Sequence, residues 1–349
     1  MYALVPIIVM TPERTMKVAV SGIPRGYQFP RADGNWLKPE HKEQILAIAE
    51  RIELIETPAH DVVAVDGVEV LLAEGGNRSH YPGELDWDDY RKFFTPSLRW
   101  VQLCSTGFSD NITRQVLNGT VSLTNAAGLH TIPVAESVLA AMLDHGKRLA
   151  QRRLDQKAHR WDRLDNDELS GRTVLLIGLG EIAKRVARLC KAFDMTVIGT
   201  RRTAGPVAQV DEVFPVAALI ERLAEADYVV VAVPHTPETE GMLGAEAFRA
   251  MKPSAYFINV GRGQVVDEPV MIEALREGRL AGAYLDALAE EPLPEDHVLW
   301  DMENVFIVPH DSHSSPFIGD RMVDIFCDNL RRYVASTPLK NVCDPERAY

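Results

Sequence analysis

The sequence has few of the features that mark secreted, membrane or zinc proteins. Its 349 residues include only four cysteines, Cys104, Cys190, Cys327 and Cys343, which lie far apart and form no CxxC pair. That spacing fits neither a zinc site nor a disulfide framework, so we expect a reducing cytoplasm and no metal. No run reaches the roughly 18 apolar residues of a membrane helix. The apolar opening MYALVPIIVM lacks a basic flank and a cleavage site, and we expect it to lead into a strand at residues 17–21.

Basic residues are also in the minority. Lys and Arg total 37 against 50 Asp and Glu, which gives a net charge of −13. A surface of that sign repels a phosphate backbone, so we expect no nucleic-acid partner. Hydrophobic and charged contents of 46% and 25% are ordinary for a folded protein. The length exceeds the roughly 250–300 residues at which single cores stop growing, which predicts two domains.

Strand-like and helix-like segments alternate twice along the chain. β-Branched runs separated by helical or polar stretches extend over about residues 17–123, and a second series begins near residue 169 with TVLLIG and ends with VFIVPH. This alternation predicts an α/β protein with two doubly wound parallel sheets. The long helical pattern IPVAESVLAAMLDHGKRLAQRRLDQKAHRWDR could connect them. A last helix, at roughly 316–335, has no sheet of its own left to cover in the second half, so we expect it to return to the first domain.

A dinucleotide fingerprint follows the first strand of the second half. In TVLLIGLGEIAKRVARL, Gly178, Gly180 and Ala183 have the spacing GxGxxA between a strand and a helix. Gly178 permits the tight turn, Gly180 lets the backbone approach a pyrophosphate, and Ala183 allows close packing of helix and strand. The helix N-terminus, beginning at Glu181 and Ile182, supplies amide donors and partial positive charge. We therefore predict a nicotinamide dinucleotide.

The second strand, TVIGT, ends without the carboxylate that commonly binds the ribose hydroxyls of NAD. Thr200 is followed by Arg201 and Arg202. A guanidinium can bind a 2′-phosphate bidentately, so NADP is predicted as the preferred cofactor and NAD as possible. The alternative is that both arginines are solvated loop charges and the protein accepts either nucleotide.

Polar residues follow three later strands of the second half. Arg262 lies in INVGRGQVVDE, Asp286 and Glu291 lie in AGAYLDALAEEPLP, and His310 closes VFIVPH. Ligands bind at the carboxyl ends of strands in open α/β sheets, so we expect these side chains to share a site.

Taken together, these motifs resemble the D-isomer-specific 2-hydroxyacid dehydrogenases, in particular their glyoxylate and hydroxypyruvate reductase members. The resemblance covers nearly the whole chain and includes QLCSTGFSDNI, NAAGLHTIPVAESVL and ADYVVVAVPHTPETEGML. It implies hydride transfer between a nicotinamide cofactor and a small 2-oxo acid. It also implies a Rossmann cofactor domain (125–310) inserted in a flavodoxin-like substrate domain (1–124 and 311–349), with closure around the cofactor, and a homodimer built through the helix that contains Val134, Val138 and Met142.

The resemblance also assigns roles. Arg262 would bind the substrate carboxylate and polarise the ketone, and His310 would donate the proton, since imidazole ionises near neutrality. Glu291 would orient His310; it is chosen over Glu290 because it immediately precedes the proline of the family's EP pattern. The further residues implied are Pro234, Val260 and Asp286 for the cofactor, with Asp286 on the nicotinamide side, and Gly76, Thr106 and Gly107 for the substrate. His145, His235 and His297 are interpreted as structural or solvated.

Two features depart from the family pattern. In family members, glycines commonly follow the Pro-His pair, whereas this chain has Asp311, Ser312 and His313. Side chains thus replace glycine beside His310, which would change the shape of the pocket there. A loop at 74–83, with Asn77, Arg78 and His80, could read a substrate substituent, although a solvated turn is the simpler interpretation.

Two other functions are compatible with the fold. A formate-dehydrogenase-like enzyme would carry glutamine in place of Glu291, and a nucleotide-sensing corepressor would not need the Arg262, Glu291 and His310 set. The sequence therefore favours a reductase, and it does not name the 2-oxo acid.

Overall fold

The computed structural model describes residues 15–21, 36–57, 66–73, 95–106, 121–203 and 205–343. The chain forms two compact units, one comprising Met1–His130 with Ser314–Tyr349 and the other comprising Thr131–His313. Each has its own parallel sheet. The prediction of an α/β protein with two doubly wound parallel-sheet domains is confirmed.

The first unit contains a five-stranded sheet in the order β2-β1-β3-β4-β5, with every strand pairing parallel. This is the flavodoxin-like order. The strands are β1 (Met16–Ser21), β2 (Ile52–Thr57), β3 (Val68–Ala73), β4 (Trp100–Leu103) and β5 (Ser122–Thr124). All six residues of β3 are buried, as expected for a central strand covered on both faces.

Two helices of the first unit, α1 (Pro39–Leu46) and α8 (Ile318–Val334), pack on one face of this sheet. Trp100 of β4 stacks on Phe326 of α8, with ring centroids 5.4 Å apart. The last helix thus contributes to the core of the first unit. Beyond it, Val342 forms an antiparallel bridge with Thr124, which gives the edge strand β5 a backbone partner on its outer side.

The second unit contains a seven-stranded sheet in the order β12-β11-β10-β9-β6-β7-β8, again entirely parallel. Six of its strands have the Rossmann order, and β12 extends one edge. The strands are β6 (Thr173–Ile177), β7 (Thr196–Thr200), β8 (Glu212–Phe214), β9 (Tyr228–Val231), β10 (Tyr256–Asn259), β11 (Gly282–Leu285) and β12 (Val305–Ile307).

Helices cover both faces of the second sheet. They are α2 (Thr131–Lys147), α4 (Glu181–Ala192), α5 (Leu219–Leu223), α6 (Ala245–Ala250) and α7 (Glu268–Arg276). Helix α3 (Leu149–Lys157) follows α2, and Asp155 is its one buried residue. Among the described residues, none of the helices is both long and apolar enough to cross a membrane. All four cysteines are buried and unbridged.

The long helical pattern after β5 forms two helices rather than one. Arg148 adopts a left-handed conformation with φ of +52° and separates α2 from α3. Gly146 lies two residues before this break. His145, near the end of α2, stacks on Tyr256 with ring centroids 4.1 Å apart, and it therefore lies in the interior of the unit.

One face of helix α2, the helix through which the homodimer is predicted to form, is buried in its own unit. Val134, Val138 and Met142 are at most 4% exposed and pack inside the second unit, in the same core as Val186 of α4. These three side chains therefore belong to the core of the unit. The homodimer through α2 stays a prediction.

Candidate active site and nucleotide-binding turn

A histidine and a glutamate at the carboxyl edge of the second sheet form a hydrogen-bonded pair. His310 follows β12 and Glu291 follows β11, and Nδ1 of the imidazole lies 2.8 Å from Oε2 of the carboxylate. The two side chains are 28% and 16% exposed, so water screens the pair less than it screens a surface ion pair. A carboxylate only accepts hydrogen bonds, so Nδ1 carries the proton that it shares with Glu291. Nε2 is then the nitrogen that can exchange a proton with a bound molecule.

The backbone at His310 is strained. Its φ is +50°, in the left-handed region that non-glycine residues rarely adopt, and its N–H donates to the carbonyl oxygen of Val308 at 2.8 Å. Conformations of this kind cost about 1–3 kcal/mol and are concentrated at functional sites. The tight turn therefore fixes where the imidazole leaves the strand.

The loop that carries Glu291 is held by contacts to its backbone. Oε1 of Glu291 accepts from the N–H of Leu288 at 3.0 Å. Both backbone polar groups of Ala289 are hydrogen-bonded. The side chain of Gln264 donates to its carbonyl oxygen, and the carboxylate of Glu268 accepts from its N–H, each at 3.2 Å. The position of the carboxylate is thus set by two neighbouring loops.

Arg262 lies in the loop after β10, between two glycines that allow close packing. Its Nη1 donates to the carbonyl oxygen of Gly261 at 2.8 Å. A Cβ at Gly263 would lie 1.9 Å from the carbonyl carbon of Leu288, so only glycine fits there. Asn259 joins the same loops, since its Nδ2 donates to the carbonyl oxygens of Arg262 and Ala287 at 3.2 and 3.1 Å.

The sheet register explains why these loops meet. Asn259 pairs with Leu285, and Leu285 pairs with Ile307, so β10, β11 and β12 end side by side. Arg262, Glu291 and His310 follow these three strands. The structure therefore brings the loops of all three predicted catalytic residues to one edge of one unit.

Asp286 is buried directly after β11. Its carboxylate accepts the backbone N–H of Ser312 at Oδ1 (3.0 Å) and the Ser312 hydroxyl at Oδ2 (2.5 Å). Burial raises the pKa of this carboxyl, and the hydrogen bonds from Ser312 oppose the rise. The ring of His313 lies near that of His310, at a centroid distance of 6.2 Å and nearly perpendicular. The residues that depart from the family's glycines thus contact two predicted site residues.

The glycine-rich turn after β6 has the geometry of a phosphate-binding turn. Gly178 has a φ of +89°, and a Cβ there would lie 2.5 Å from Cγ1 of Val233. Gly180 is the N-cap of α4, and no side chain caps the helix. A Cβ at Gly180 would meet nothing within 4 Å. Ala183, in the first turn of α4, is fully buried. The first amides of an uncapped helix are available to an anion, so the turn fits a pyrophosphate.

The other residues at the start of α4 are placed differently. Glu181 is exposed and forms an ion pair with Lys184 at 2.7 Å, and Ile182 is half-buried against the core. Pro234, after β9, is exposed, and its carbonyl oxygen accepts the hydroxyl of Thr239 at 2.7 Å. Val260 is buried after β10. Both follow strands that end at the same sheet edge as β6.

The two arginines that follow β7 have different environments. Nη2 of Arg201 donates to the carbonyl oxygen of Gly205 at 3.1 Å. Arg202 is exposed. A hydrogen bond with Thr236 and the positive charge of Arg202 hold the pKa of Glu238 below its usual range. Of the two arginines, Arg202 is the more exposed residue, and its charge acts on Glu238.

The predicted substrate residues belong to the first unit. Thr106 follows β4, and its carbonyl oxygen accepts from Nδ2 of Asn125 at 3.0 Å. Gly76, Gly107 and the loop at 74–83 lie outside the described residues. Within the described ranges, no group of three or more His, Cys, Asp or Glu side chains could hold a metal ion.

Sequence reasoning missed the residues that position the site. Asn259, Gln264 and Glu268 all lie in or beside the INVGRGQVVDE segment and act through backbone groups of the next loop. Asn259 carried a signal, because an amide that closes a buried strand needs several hydrogen-bond partners. No comparable pattern indicates Gln264 or Glu268, because both residue types are common on exposed loops and helix starts.

Comparison with known proteins identifies the family. Residues 139–312 match the family model for the NAD binding domain of D-isomer specific 2-hydroxyacid dehydrogenases. A glyoxylate/hydroxypyruvate reductase B from Yersinia pestis is 30% identical over 291 residues, which are 82% of this chain and 86% of the relative. The chain therefore belongs to the D-isomer specific 2-hydroxyacid dehydrogenase family. It is an oxidoreductase that uses a nicotinamide cofactor.

Solved structures of other proteins are similar to this dehydrogenase over both of its units. A D-isomer specific 2-hydroxyacid dehydrogenase from Xanthobacter autotrophicus, in complex with NADPH and MES, has a TM-score of 0.75 and 27% identity. An NADPH-dependent glyoxylate/hydroxypyruvate reductase from Sinorhizobium meliloti, in complex with NADP and sulfate, has a TM-score of 0.74 and 27% identity. In each comparison 96% of this chain and 100% of the other are covered.

Proposed function

We propose that this dehydrogenase reduces a small 2-oxo acid, such as glyoxylate or hydroxypyruvate, to a D-2-hydroxy acid, with NADPH as the preferred cofactor. The observation that carries the proposal is the 2.8 Å hydrogen bond between His310 and Glu291 at the sheet edge where the loop of Arg262 also lies. The arrangement supplies a proton donor with its orienting carboxylate and a guanidinium for an anionic substrate. The naming of the relatives as glyoxylate and hydroxypyruvate reductases supports the substrate class.

Each side chain has a distinct task in the reduction. The guanidinium of Arg262 binds the substrate carboxylate and stabilises negative charge that develops on the ketone oxygen. His310 donates its Nε2 proton to that oxygen, and Glu291 stabilises the imidazolium that precedes the transfer. Bound nicotinamide supplies the hydride.

The cofactor proposal rests on the turn after β6 and on Arg202. The uncapped start of α4 would hold the pyrophosphate, with Gly178 and Gly180 allowing its approach. Arg201 and Arg202 would bind a 2′-phosphate, since the chain has arginines where NAD enzymes commonly have a carboxylate after this strand. Asp286, Pro234 and Val260 would contact the nicotinamide side. NADPH or NADP in two structural neighbours supports this choice.

The substrate proposal extends to the first unit. Thr106 with Gly76 and Gly107 would bind the substrate, so that residues 1–124 and 311–349 form the substrate domain and residues 125–310 form the cofactor domain. A homodimer and a cytoplasmic location stay predictions.

The decisive experiment is steady-state kinetics on a panel of 2-oxo acids with NADPH and then NADH, using wild type and His310→Asn. Asparagine tolerates the left-handed backbone of position 310 and removes the proton donor. We expect kcat for glyoxylate reduction to fall about 100- to 10,000-fold, the usual range for losing a general acid. His159→Asn is the matched control, because His159 is an exposed histidine that also has a positive φ, of +55°.

The two alternatives predict different results. A nucleotide-sensing protein would show equal or no turnover for wild type and Arg262→Ala, although it would bind the cofactor. An enzyme of the formate dehydrogenase type would turn over formate and none of the 2-oxo acids. A loss of activity in His159→Asn as large as in His310→Asn would remove the assignment of His310.

A further inference from the structure

We propose that Ser312 is a positioning residue that fixes the orientation of the Asp286 carboxylate and thereby tightens cofactor binding. This inference rests on the proposed function, in which Asp286 contacts the nicotinamide. The supporting observation does not depend on that role. Ser312 donates two hydrogen bonds, one to each oxygen of the Asp286 carboxylate.

Two donors from one residue constrain a carboxylate more than one donor does. The N–H of Ser312 donates to Oδ1 at 3.0 Å, and its hydroxyl donates to Oδ2 at 2.5 Å. A single bond would leave the carboxylate free to turn about its Cβ–Cγ bond, whereas bonds to both oxygens fix its plane. A glycine at position 312, the residue that the family pattern leads one to expect, would keep only the amide donor. The serine therefore adds a constraint that glycine cannot supply.

The surroundings increase the strength of this contact. Ser312 is 6% exposed and Asp286 is 4% exposed, so both bonds lie away from water, where a hydrogen bond to a charged group counts for more. The carbonyl oxygen of Ser312 accepts from the hydroxyl of Ser137 on α2 at 3.5 Å. Helix α2 thus helps to hold the turn that contains Ser312, and this turn also contains His310.

Ser312 would then couple two parts of the site. The turn that follows β12 places the imidazole of His310 and, two residues later, the donors that hold Asp286 after β11. A change in the position of this turn would move both groups together. The inferred role is therefore positional, because Ser312 acts through Asp286 and need not contact substrate or cofactor.

A double-mutant cycle tests this role. The dissociation constants of NADPH and NADH are measured by fluorescence titration for wild type, Ser312→Ala, Asp286→Asn and the double variant. We expect Ser312→Ala to weaken binding about tenfold in the wild-type background, since hydrogen bonds to charged groups contribute at that level. In the Asp286→Asn background, we expect the same change to alter binding less than about twofold. Equal effects in both backgrounds, or no effect of Ser312→Ala, would overturn the inference.

Further variants separate positioning from general packing. Ser312→Thr keeps the hydroxyl and is expected to recover most of the lost affinity, whereas Ser312→Gly is expected to behave as Ser312→Ala. Ser315→Ala is the matched control, because Ser315 is also a buried serine and its hydroxyl accepts from the N–H of Phe317 instead. If Ser312→Ala fails to fold, Ser312→Gly takes its place in the cycle. Weakening by Ser315→Ala as large as that by Ser312→Ala would contradict the specific role.

Failure of the inference and failure of the proposed function give different results. The titrations need no turnover, so a wild type that binds NADPH, shows the coupling and reduces none of the 2-oxo acids would overturn the function alone. A wild type that reduces glyoxylate, with additive effects of Ser312→Ala and Asp286→Asn, would overturn the inference alone.

Discussion

Glu291→Gln removes the negative charge beside His310 while keeping the size of the side chain. The carboxylate accepts hydrogen bonds from the N–H of Leu288 at 3.0 Å and from Nδ1 of His310 at 2.8 Å. A glutamine has one acceptor oxygen and one donor nitrogen, so it can satisfy only one of these donors unless the imidazole changes its tautomer. A charge-assisted bond contributes about 1.5–3 kcal/mol. At about 1.4 kcal/mol per tenfold change, kcat/KM for reduction should fall about 10- to 100-fold.

The assay is initial-rate kinetics of 2-oxo acid reduction with glyoxylate and NADPH, in which kcat/KM of wild type and of Glu291→Gln are compared.

Glu290→Gln is the matched control for this experiment. Glu290 is the adjacent residue and is exposed. Among the described residues, the carboxylate that accepts from His310 is that of Glu291 and not that of Glu290. Its variant should retain kcat/KM within about twofold, as surface substitutions usually do. A larger loss in Glu290→Gln than in Glu291→Gln would refute the assignment of the orienting carboxylate, and an unchanged kcat/KM in Glu291→Gln would refute the role of its charge.

Three further changes have defined outcomes. Arg202→Ala should lower the ratio of kcat/KM for NADPH to that for NADH about tenfold, through loss of a guanidinium contact with the 2′-phosphate; an unchanged ratio in kinetics with both nucleotides would contradict this. Gly263→Ala should lower the free energy of unfolding by about 3 kcal/mol or more, because its Cβ would lie 1.9 Å from the carbonyl carbon of Leu288, and urea melts measure the loss. Burial lowers the pKa of His145, so as the pH falls below about 6.5 the unfolded chain takes up the proton first and stability is lost. His145→Phe keeps a ring stacked on Tyr256, 4.1 Å away, and should reduce that acid loss; equal pH dependence in melts of both proteins would contradict it.

The loops of the candidate site were predictable because polar residues close buried strands. Arg262 and His310 follow apolar segments too short for helices, and the carboxyl ends of parallel strands meet at one edge. What the apolar face of helix α2 packs against was not predictable in the same way. An apolar stripe such as that of Val138 has the same spacing whether it packs inside one chain or against a second chain. The break at Arg148 was not predicted either, although Gly146, a poor helix former, lies two residues before it.

The contacts around the Glu291 loop explain why the supporting residues are harder to find than the reactive ones. Asn259, Gln264 and Glu268 each hold backbone groups of Ala287 or Ala289, and backbone groups are the same whatever side chain they bear. The geometry of the histidine–carboxylate pair is therefore set by the segment from Asn259 to Glu268 as well as by the N–H of Leu288 in the loop of Glu291 itself. It follows that changes at Ala289 or Glu290 should disturb the pair less than changes at Asn259, although Asn259 lies 32 residues earlier in the chain. Sequence distance from the reactive side chain is a poor guide to influence on it, because the parallel sheet brings the ends of β10 and β11 side by side.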